Sequence, residues 1–368
     1  MFDREKIIIT VIILTLVFSL FTIFVSSDSI PSVSARAAAL YEPESGSFLF
    51  NKNANTRLGM ASTTKILTAL IAIEKLSPDE EITVDDNAVG IEGSSIYLEH
   101  GEKMRAIDLI YSVMLQSAND AAAALAYRIS GGIDEFASLM NDKVSEYGLN
   151  DTHFTNPHGL DSKEHYTTAH DLAIISAKAL ENDTFKKIVS TRKTSIESSL
   201  KTRVLVNHNK LLSSYDGCIG VKTGYTKKSG RSLVSAAEKD HLTMISVTID
   251  APNDWSDHKK MLDYGYSLLE AKILATEGEY KYDIPVMNGN CDYVSVSNKE
   301  ELKLITKKDG KRIKSQVKLN RFISAPVSEG DVLGEVVFSL EGKTIGSVEL
   351  TADFSVNSTQ RKKFSFFK

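Results

Sequence analysis

The spacing of hydrophobic and polar positions changes several times along the chain. Uncharged residues run without interruption from Ile7 to Val25. Between about residues 62 and 128, apolar residues recur every three or four positions, which predicts helices. Between 218 and 250 they form short β-branched runs, which predict strands. After residue 277, alternating runs separated by turn residues predict a small all-β domain.

The order of these elements indicates the fold class. Apolar runs at 38–41 and 47–51 flank a Pro- and Gly-containing stretch, which predicts a hairpin. A last helix is predicted over 257–270. Strands early and late with helices between them indicate an α/β (α+β) domain, an antiparallel sheet flanked by helices. We predict this domain over 36–277, a β-sandwich-like C-terminal domain over 278–356, and a basic, aromatic tail over 357–368.

The first 35 residues have the pattern of an export signal. The 19 uncharged residues from Ile7 to Val25, at ~1.5 Å per residue, approach the thickness of a bilayer core. Small residues at 33–37 offer cleavage sites for a signal peptidase. Cleavage of this segment is the favoured interpretation, and its retention as a membrane anchor is the alternative. In both cases the remainder is exported, and we expect it to draw no core residues from 1–35.

Composition narrows the function classes. Hydrophobic residues make up 42% and charged residues 25% of the 368 residues, which indicates globular domains and excludes a disordered chain or a multi-span membrane protein. The net charge of −5, without a long basic block, argues against nucleic acid as a partner. Cys218 and Cys291 lie too far apart for a metal knuckle, and we interpret them as isolated structural thiols.

Three short motifs carry candidate chemistry. Ser62 and Lys65 lie three positions apart at the head of an apolar helix, so a hydroxyl and an amine share one helical face. A lysine can activate a serine only when it is neutral, which requires burial or a second cation. Alone, this spacing is much more often an N-cap serine followed by a solvated lysine.

The other two motifs are a polar loop and a glycine-flanked strand. Residues 117–119 read Ser-Ala-Asn between two apolar helices, and 220–226 read Gly-Val-Lys-Thr-Gly-Tyr-Thr. Separately, the first could be a helix cap and the second an edge strand. In this order, together with Ser62 and Lys65, the three motifs are far more specific than any one of them.

With these motifs the chain resembles the serine D-alanyl-D-alanine carboxypeptidases, the low-molecular-mass penicillin-binding proteins. The stretches 41–46, 153–160, 165–173 and 330–334 resemble that family as well, so the resemblance covers about 36–356. It implies a penicillin-sensitive enzyme that removes the terminal D-alanine from peptidoglycan stem peptides through a serine acyl-enzyme. It also implies β-lactams as covalent inhibitors, no cofactor or metal, and a location outside the bacterial cytoplasm at the membrane and cell wall.

The resemblance also assigns expected roles to individual residues. Ser62 would be the nucleophile, Lys65 its base, and Ser117 the proton relay to the leaving D-alanine. The substrate-binding residues would be Asn119, Lys222, Thr223, Gly224 and Tyr225. Lys222 and Thr223 would bind the terminal carboxylate, and the N–H groups of Ser62 and Tyr225 would form the oxyanion hole.

Several features depart from the family pattern or suggest other functions. His208 stands where some relatives carry a carboxylate-binding arginine, so that contact is in doubt, and a surface histidine is the simpler interpretation. The tail is too short for an interfacial helix, so we expect membrane attachment through the N-terminal segment, or weakly through the tail.

A β-lactamase using Glu146 is disfavoured because Gly148 reads as a helix cap. The four histidines between 153 and 170 lack metal-site spacing. A non-catalytic peptidoglycan-binding module remains the main alternative.

Overall fold

The computed structural model describes residues 29–359. The predicted membrane segment Ile7–Val25 and the end of the tail lie outside these residues. Within the described part of the chain, no helix has both the length and the apolar character needed to cross a bilayer.

Helices and strands follow the predicted order. The α-helices are α1 (Lys65–Lys75), α2 (Ala106–Leu115), α3 (Asn119–Ser130), α4 (Ile133–Glu146), α5 (Ala169–Leu180), α6 (Asp183–Ser190), α7 (Leu211–Ser214) and α8 (Asp254–Leu268). Strands up to residue 249 are β1 (Ala37–Glu42), β2 (Ser47–Lys52), β3 (Glu81–Thr83), β4 (Lys103–Arg105), β5 (Lys193–Glu197), β6 (Thr202–Val206), β7 (Cys218–Thr226), β8 (Gly230–Lys239) and β9 (Leu242–Ile249).

A five-stranded antiparallel sheet in the order β2-β1-β9-β8-β7 organises the first region. It joins the hairpin at the start of the region to strands about 200 residues later, as the pattern predicted. Successive residues of a strand point to opposite faces. Accordingly Ala37 and Ala39 pack in the core beneath α1 to α5, whereas Ala38 and Leu40 pack against α8. The strand β7 forms one edge of this sheet and borders the site described below.

The C-terminal region is all-β, as predicted. Its strands are β10 (Leu269–Ala275), β11 (Lys281–Met287), β12 (Tyr293–Ser297), β13 (Leu302–Lys307), β14 (Lys314–Leu319), β15 (Ile323–Ser324), β16 (Val332–Leu340) and β17 (Lys343–Ala352). Most of them form a six-stranded sheet, and β10 pairs with β13. A separate cluster of buried side chains, including Val296, Val336 and Leu350, forms its core.

The structure differs from the sequence prediction at two junctions. The helix predicted over 257–270 spans Asp254–Leu268, and the chain enters β10 at Leu269, before the predicted boundary at 278. Residues just before 36 do contribute to the core, contrary to the expectation. Val33 and Ala35 are buried with α8, and Ser34 donates from its backbone N–H and its hydroxyl to the buried Asp257 carboxylate at 2.8 and 2.6 Å.

Candidate active site

Ser62 lies in a 3-10 turn, Ala61–Thr64, that leads directly into α1. Ala61, just before it, has a left-handed backbone with φ 49°. A residue with a side chain seldom adopts this conformation, and such residues concentrate at functional sites. The turn presents Ser62 to a cleft of about 350 Å³ at the edge of the sheet.

Lys65 is fully buried, one turn further along, and its Nζ lies 3.1 Å from Ser62 Oγ. The same Nζ donates to Asn119 Oδ1 at 2.7 Å and to the backbone carbonyl of His158. Both contacts are to carbonyl oxygens, which can only accept hydrogen bonds. The Asn119 amide nitrogen donates to the carbonyl of Glu92, so the amide oxygen is the atom that faces Lys65. A neutral lysine has two N–H bonds and one lone pair. The two carbonyl groups use the N–H bonds, so the lone pair is left facing the Ser62 hydroxyl.

The surroundings favour this neutral form. Burial, and then the nearby Lys222 cation, lower the pKa of Lys65 well below its usual value, although the Asp120 carboxylate acts in the opposite direction. Burial also lowers the pKa of Lys222, to about 7. Two buried amines with lowered pKa values beside a serine are the arrangement expected for an activated nucleophile.

The predicted polar loop lies across the cleft from this pair. Ser117 joins α2 to α3 with φ 57° and lines the cleft with Ser62. Asn119 begins α3, and its side chain connects Lys65 to the loop at 90–98. In this structure Asn119 therefore holds the base and the loop, in addition to any contact with a substrate.

The glycine-flanked strand β7 closes the other side of the site. Lys222 is buried and donates to the carbonyl of Thr223 at 3.0 Å, whereas Thr223, Gly224 and Tyr225 line the cleft. A Cβ at Gly224 would lie 3.0 Å from the Ser62 nitrogen, so any other residue there would push the nucleophile turn away from the strand by a few tenths of an ångström. The structure thus brings all eight residues predicted from the sequence to one place.

Other residues of the site were not predicted. Asp120 accepts from the Ser95 hydroxyl and from two backbone N–H groups, and so holds the loop that carries Ser94 into the cleft. Arg231 and Trp255 line the far end, where Arg231 pairs with buried Asp254. Their sequence neighbourhoods carry no chemical motif, and only the tertiary fold brings them to the cleft.

The residues that suggested other functions do not form rival sites. Glu146 is exposed beside Lys143 at the end of α4, and Gly148 follows with φ 72°, as expected for a helix cap. His208 is exposed and lines the cleft. Desolvation by the walls of the cleft, and then the Lys222 cation, lower its pKa. Burial raises the pKa of the Cys218 thiol, so it is a poor nucleophile.

The histidines between 153 and 170 serve structural contacts. His153 Nδ1 lies 2.6 Å from the Glu164 carbonyl, as a loop histidine should, and His170 stacks on Phe48. His165 instead contacts a side chain, Thr64, in the nucleophile turn. Among residues 29–359, no group of three potential metal-binding side chains comes together.

The site places a serine beside a buried lysine of lowered pKa, with a strained serine loop and a lysine-bearing edge strand around them. This arrangement is typical of one class of enzyme, the serine acyl transferases that use lysine as the base. The comparisons with known proteins identify the family within that class. Residues 24–253 match the D-alanyl-D-alanine carboxypeptidase family, and residues 270–358 match the C-terminal domain of penicillin-binding protein 5.

Individual relatives agree. The chain is 33% identical to the D-alanyl-D-alanine carboxypeptidase DacF of Bacillus subtilis, over 86% of this chain and 85% of that protein. It is 31% identical to DacC of Escherichia coli, over 86% and 82%. The crystal structure of penicillin-binding protein 5 from Haemophilus influenzae superposes with a TM-score of 0.65 at 29% identity, covering 89% of this chain and 99% of that one. The chain belongs to the serine D-alanyl-D-alanine carboxypeptidases, the low-molecular-mass penicillin-binding proteins.

Proposed function

We propose that this protein removes the terminal D-alanine from peptidoglycan stem peptides, with Ser62 as nucleophile and Lys65 as base. The observation that carries the proposal is the arrangement of three oxygen atoms around Lys65 Nζ. Two carbonyl oxygens occupy its N–H bonds, and Ser62 Oγ lies 3.1 Å away on the remaining side. The buried amine is therefore ready to take the hydroxyl proton.

Acylation and hydrolysis would follow one sequence of steps at Ser62. Ser62 Oγ attacks the carbonyl between the two D-alanines while its proton moves to Lys65. The N–H groups of Ser62 and Tyr225 stabilise the oxyanion. The C–N bond then breaks, and the leaving amine takes a proton through Ser117. Water hydrolyses the resulting ester and releases the shortened peptide. A β-lactam would acylate Ser62 in the same way.

Residues of β7 would bind the C-terminal carboxylate of the substrate. The Lys222 ammonium supplies positive potential, and Thr223 lines the cleft, so together they suit a terminal carboxylate. In this scheme Lys222 has a second effect, since its charge helps to keep Lys65 neutral.

The proposal includes the location and the domain arrangement. An N-terminal segment that ends before Val33 acts as a signal peptide or membrane anchor, because residues 33–35 belong to the core of the catalytic domain that follows, and the β region begins near 270–278. A substrate found in the cell wall requires the catalytic domain to lie outside the cytoplasm, attached to the membrane through the N-terminal segment or weakly through the tail.

Ser62→Ala tests this function against a non-catalytic wall-binding module. The variant should release no D-alanine from a peptide ending in D-Ala-D-Ala and should take up no fluorescent penicillin, while keeping the unmodified protein's thermal unfolding midpoint. Thr68→Val, a change of a buried hydroxyl one turn beyond Lys65, is the control and should keep both activities. An unmodified protein that neither hydrolyses the peptide nor binds penicillin would indicate the binding module instead.

A further inference from the structure

The turn that carries Ser62 is tied to a buried histidine that the proposed mechanism does not use. His165 is 3% exposed and lies 101 residues beyond Thr64 in the sequence. Its Nε2 is 2.7 Å from Thr64 Oγ1, and that oxygen is 2.8 Å from the carbonyl oxygen of Ala61. These contacts form a line of buried polar groups that ends on the peptide bond before Ser62.

The protons along this line have one consistent direction. The backbone N–H of Thr155 can only donate, and it meets His165 Nδ1 at 3.0 Å. A neutral imidazole has one N–H, which must then be on Nε2, so the ring donates to the Thr64 oxygen. The Ala61 carbonyl can only accept, so the Thr64 hydroxyl donates to it. Burial lowers the pKa of His165 to about 4, which keeps the ring neutral near pH 7.

The end of the line coincides with one half of the oxyanion hole. The C=O of Ala61 and the N–H of Ser62 belong to one planar peptide unit and point in opposite directions. A donor that fixes the carbonyl end therefore fixes the direction of the N–H end. Hydrogen bonds in a chain also polarise one another, so donation to this carbonyl makes the Ser62 N–H a stronger donor.

The local backbone needs such support. Ala61 has φ 49°, which is strained for a residue with a Cβ and persists only where the surroundings over-determine it. Gly159 packs so closely on the same carbonyl that a Cβ at that position would collide with it. The carbonyl is thus held by packing on one side and by the Thr64 hydroxyl on the other.

We propose that His165 and Thr64 are positioning residues of the oxyanion hole, which aim and polarise the Ser62 N–H through the Ala61 carbonyl. The inference rests on the proposed function, because it requires Ser62 to be acylated. It assigns a role to two side chains that lie behind the nucleophile and touch no substrate.

The test compares acylation by a penicillin in the full-length protein and four variants. Thr64→Val removes the hydroxyl, and His165→Phe removes both ring nitrogens but keeps the ring. Thr64→Ser restores the hydroxyl. Thr68→Val is the matched control, since it removes a buried hydroxyl of α1 that donates at 2.7 Å to the Pro157 carbonyl, outside this line. Stopped-flow labelling gives the acylation rate constant and the dissociation constant separately, and infrared difference spectra give the stretch of the acyl-ester carbonyl.

The oxyanion forms only in the transition state, so the two constants should respond differently. Thr64→Val and His165→Phe should acylate about tenfold more slowly, less than the 10²–10³ typical for loss of an oxyanion donor itself. The dissociation constant should change by less than about twofold. The ester carbonyl band should move to higher wavenumber, because its hydrogen bond is weaker. Thr64→Ser and Thr68→Val should behave like the unmodified protein.

The outcomes separate this proposal from the proposed function. Acylation at the unmodified rate with an unshifted carbonyl band in Thr64→Val and His165→Phe would overturn the positioning role and leave Ser62 as nucleophile. An equal loss in Thr68→Val would overturn it too, because the effect would then come from general weakening of the fold. If Thr64→Val does not fold, His165→Phe decides, since it leaves every hydroxyl of the turn in place. An unmodified protein without a label on Ser62 would overturn both proposals.

Discussion

Replacing Lys222 by glutamine removes a buried cation. The resulting loss of kcat/KM should be larger for a peptide with a free terminal carboxylate than for the same peptide amidated. In the proposed scheme the ammonium attracts the terminal carboxylate and also lowers the pKa of Lys65. The second effect is common to every substrate. The first applies only to a peptide with a free carboxylate. A peptide ending in D-Ala-D-Ala and its amidated counterpart therefore separate the two roles.

The size of the difference follows from the burial of this group. A hydrogen bond to a charged group contributes about 1.5–3 kcal/mol, which corresponds to roughly 10- to 150-fold in kcat/KM. Lys222 is 1% exposed, so solvent screens the interaction little. The preference for the free acid over the amide should fall by that factor in Lys222→Gln.

The pH dependence gives a second measure of the same interaction. Burial lowers the pKa of Lys222 to about 7, so the amine is mostly protonated at about pH 6 and mostly neutral at about pH 9. The protonated form binds the carboxylate. The preference of the unmodified enzyme for the free acid should therefore decline as the pH rises through this range, and that of Lys222→Gln should not change.

The assay measures release of D-alanine from the acid and of D-alaninamide from the amide, by both enzymes, between about pH 5 and 9. Lys222→Gln should first be shown to unfold at a temperature close to that of the unmodified enzyme. A loss that is equal for the acid and the amide would mean that Lys222 serves only the base. A preference that stays constant with pH in the unmodified enzyme would show that its charge does not bind the carboxylate.

Three further predictions concern the surroundings of the site. Gly224→Ala places a methyl group 3.0 Å from the Ser62 nitrogen and should slow penicillin acylation at least tenfold. Gly278→Ala lies outside the cleft, where the added methyl meets open space; its left-handed φ of 73° should cost stability but leave the acylation rate unchanged. Ser34→Ala removes the hydroxyl's hydrogen bond to the buried Asp257 carboxylate and the one it accepts from the Asn253 N–H, and it should lower the free energy of unfolding by about 1–3 kcal/mol in urea titrations, so an unchanged value would refute the role of that segment in the core. Dialysis against a chelator should leave D-alanine release intact, and activity restored only by added metal would contradict the metal-free scheme.

The sequence predicted the main sheet and the site motifs because their signals are local. The strand β7 carries lysine, threonine and glycine in adjacent positions, and the turn that leads into α1 carries Ser62 three positions before Lys65. Whether these segments meet depends on the order β2-β1-β9-β8-β7, which the alternation of strands and helices anticipated only in outline. The family resemblance supplied the assignment of roles.

What the sequence did not predict depends on contacts between distant segments. The direction of the Lys65 lone pair requires the His158 carbonyl, 93 residues away, and the support of Ser62 requires His165. A histidine in a loop looks the same in a sequence whether it faces solvent or a buried hydroxyl. Ser34 also looked like part of a removable leader, since nothing near it in the chain shows that its partner is Asp257 on α8.

The measurement that tests the central claim most directly is the position of the covalent penicillin adduct. The protein is incubated with a penicillin, denatured and digested with trypsin, which cuts after Arg57 and Lys65 and releases residues 58–65. Tandem mass spectrometry should find the added mass on this peptide, with fragment ions that place it on Ser62 and not on Thr63 or Thr64. An adduct on Ser117 or on another peptide, or no adduct at all on folded protein, would contradict the assignment of Ser62 as the nucleophile.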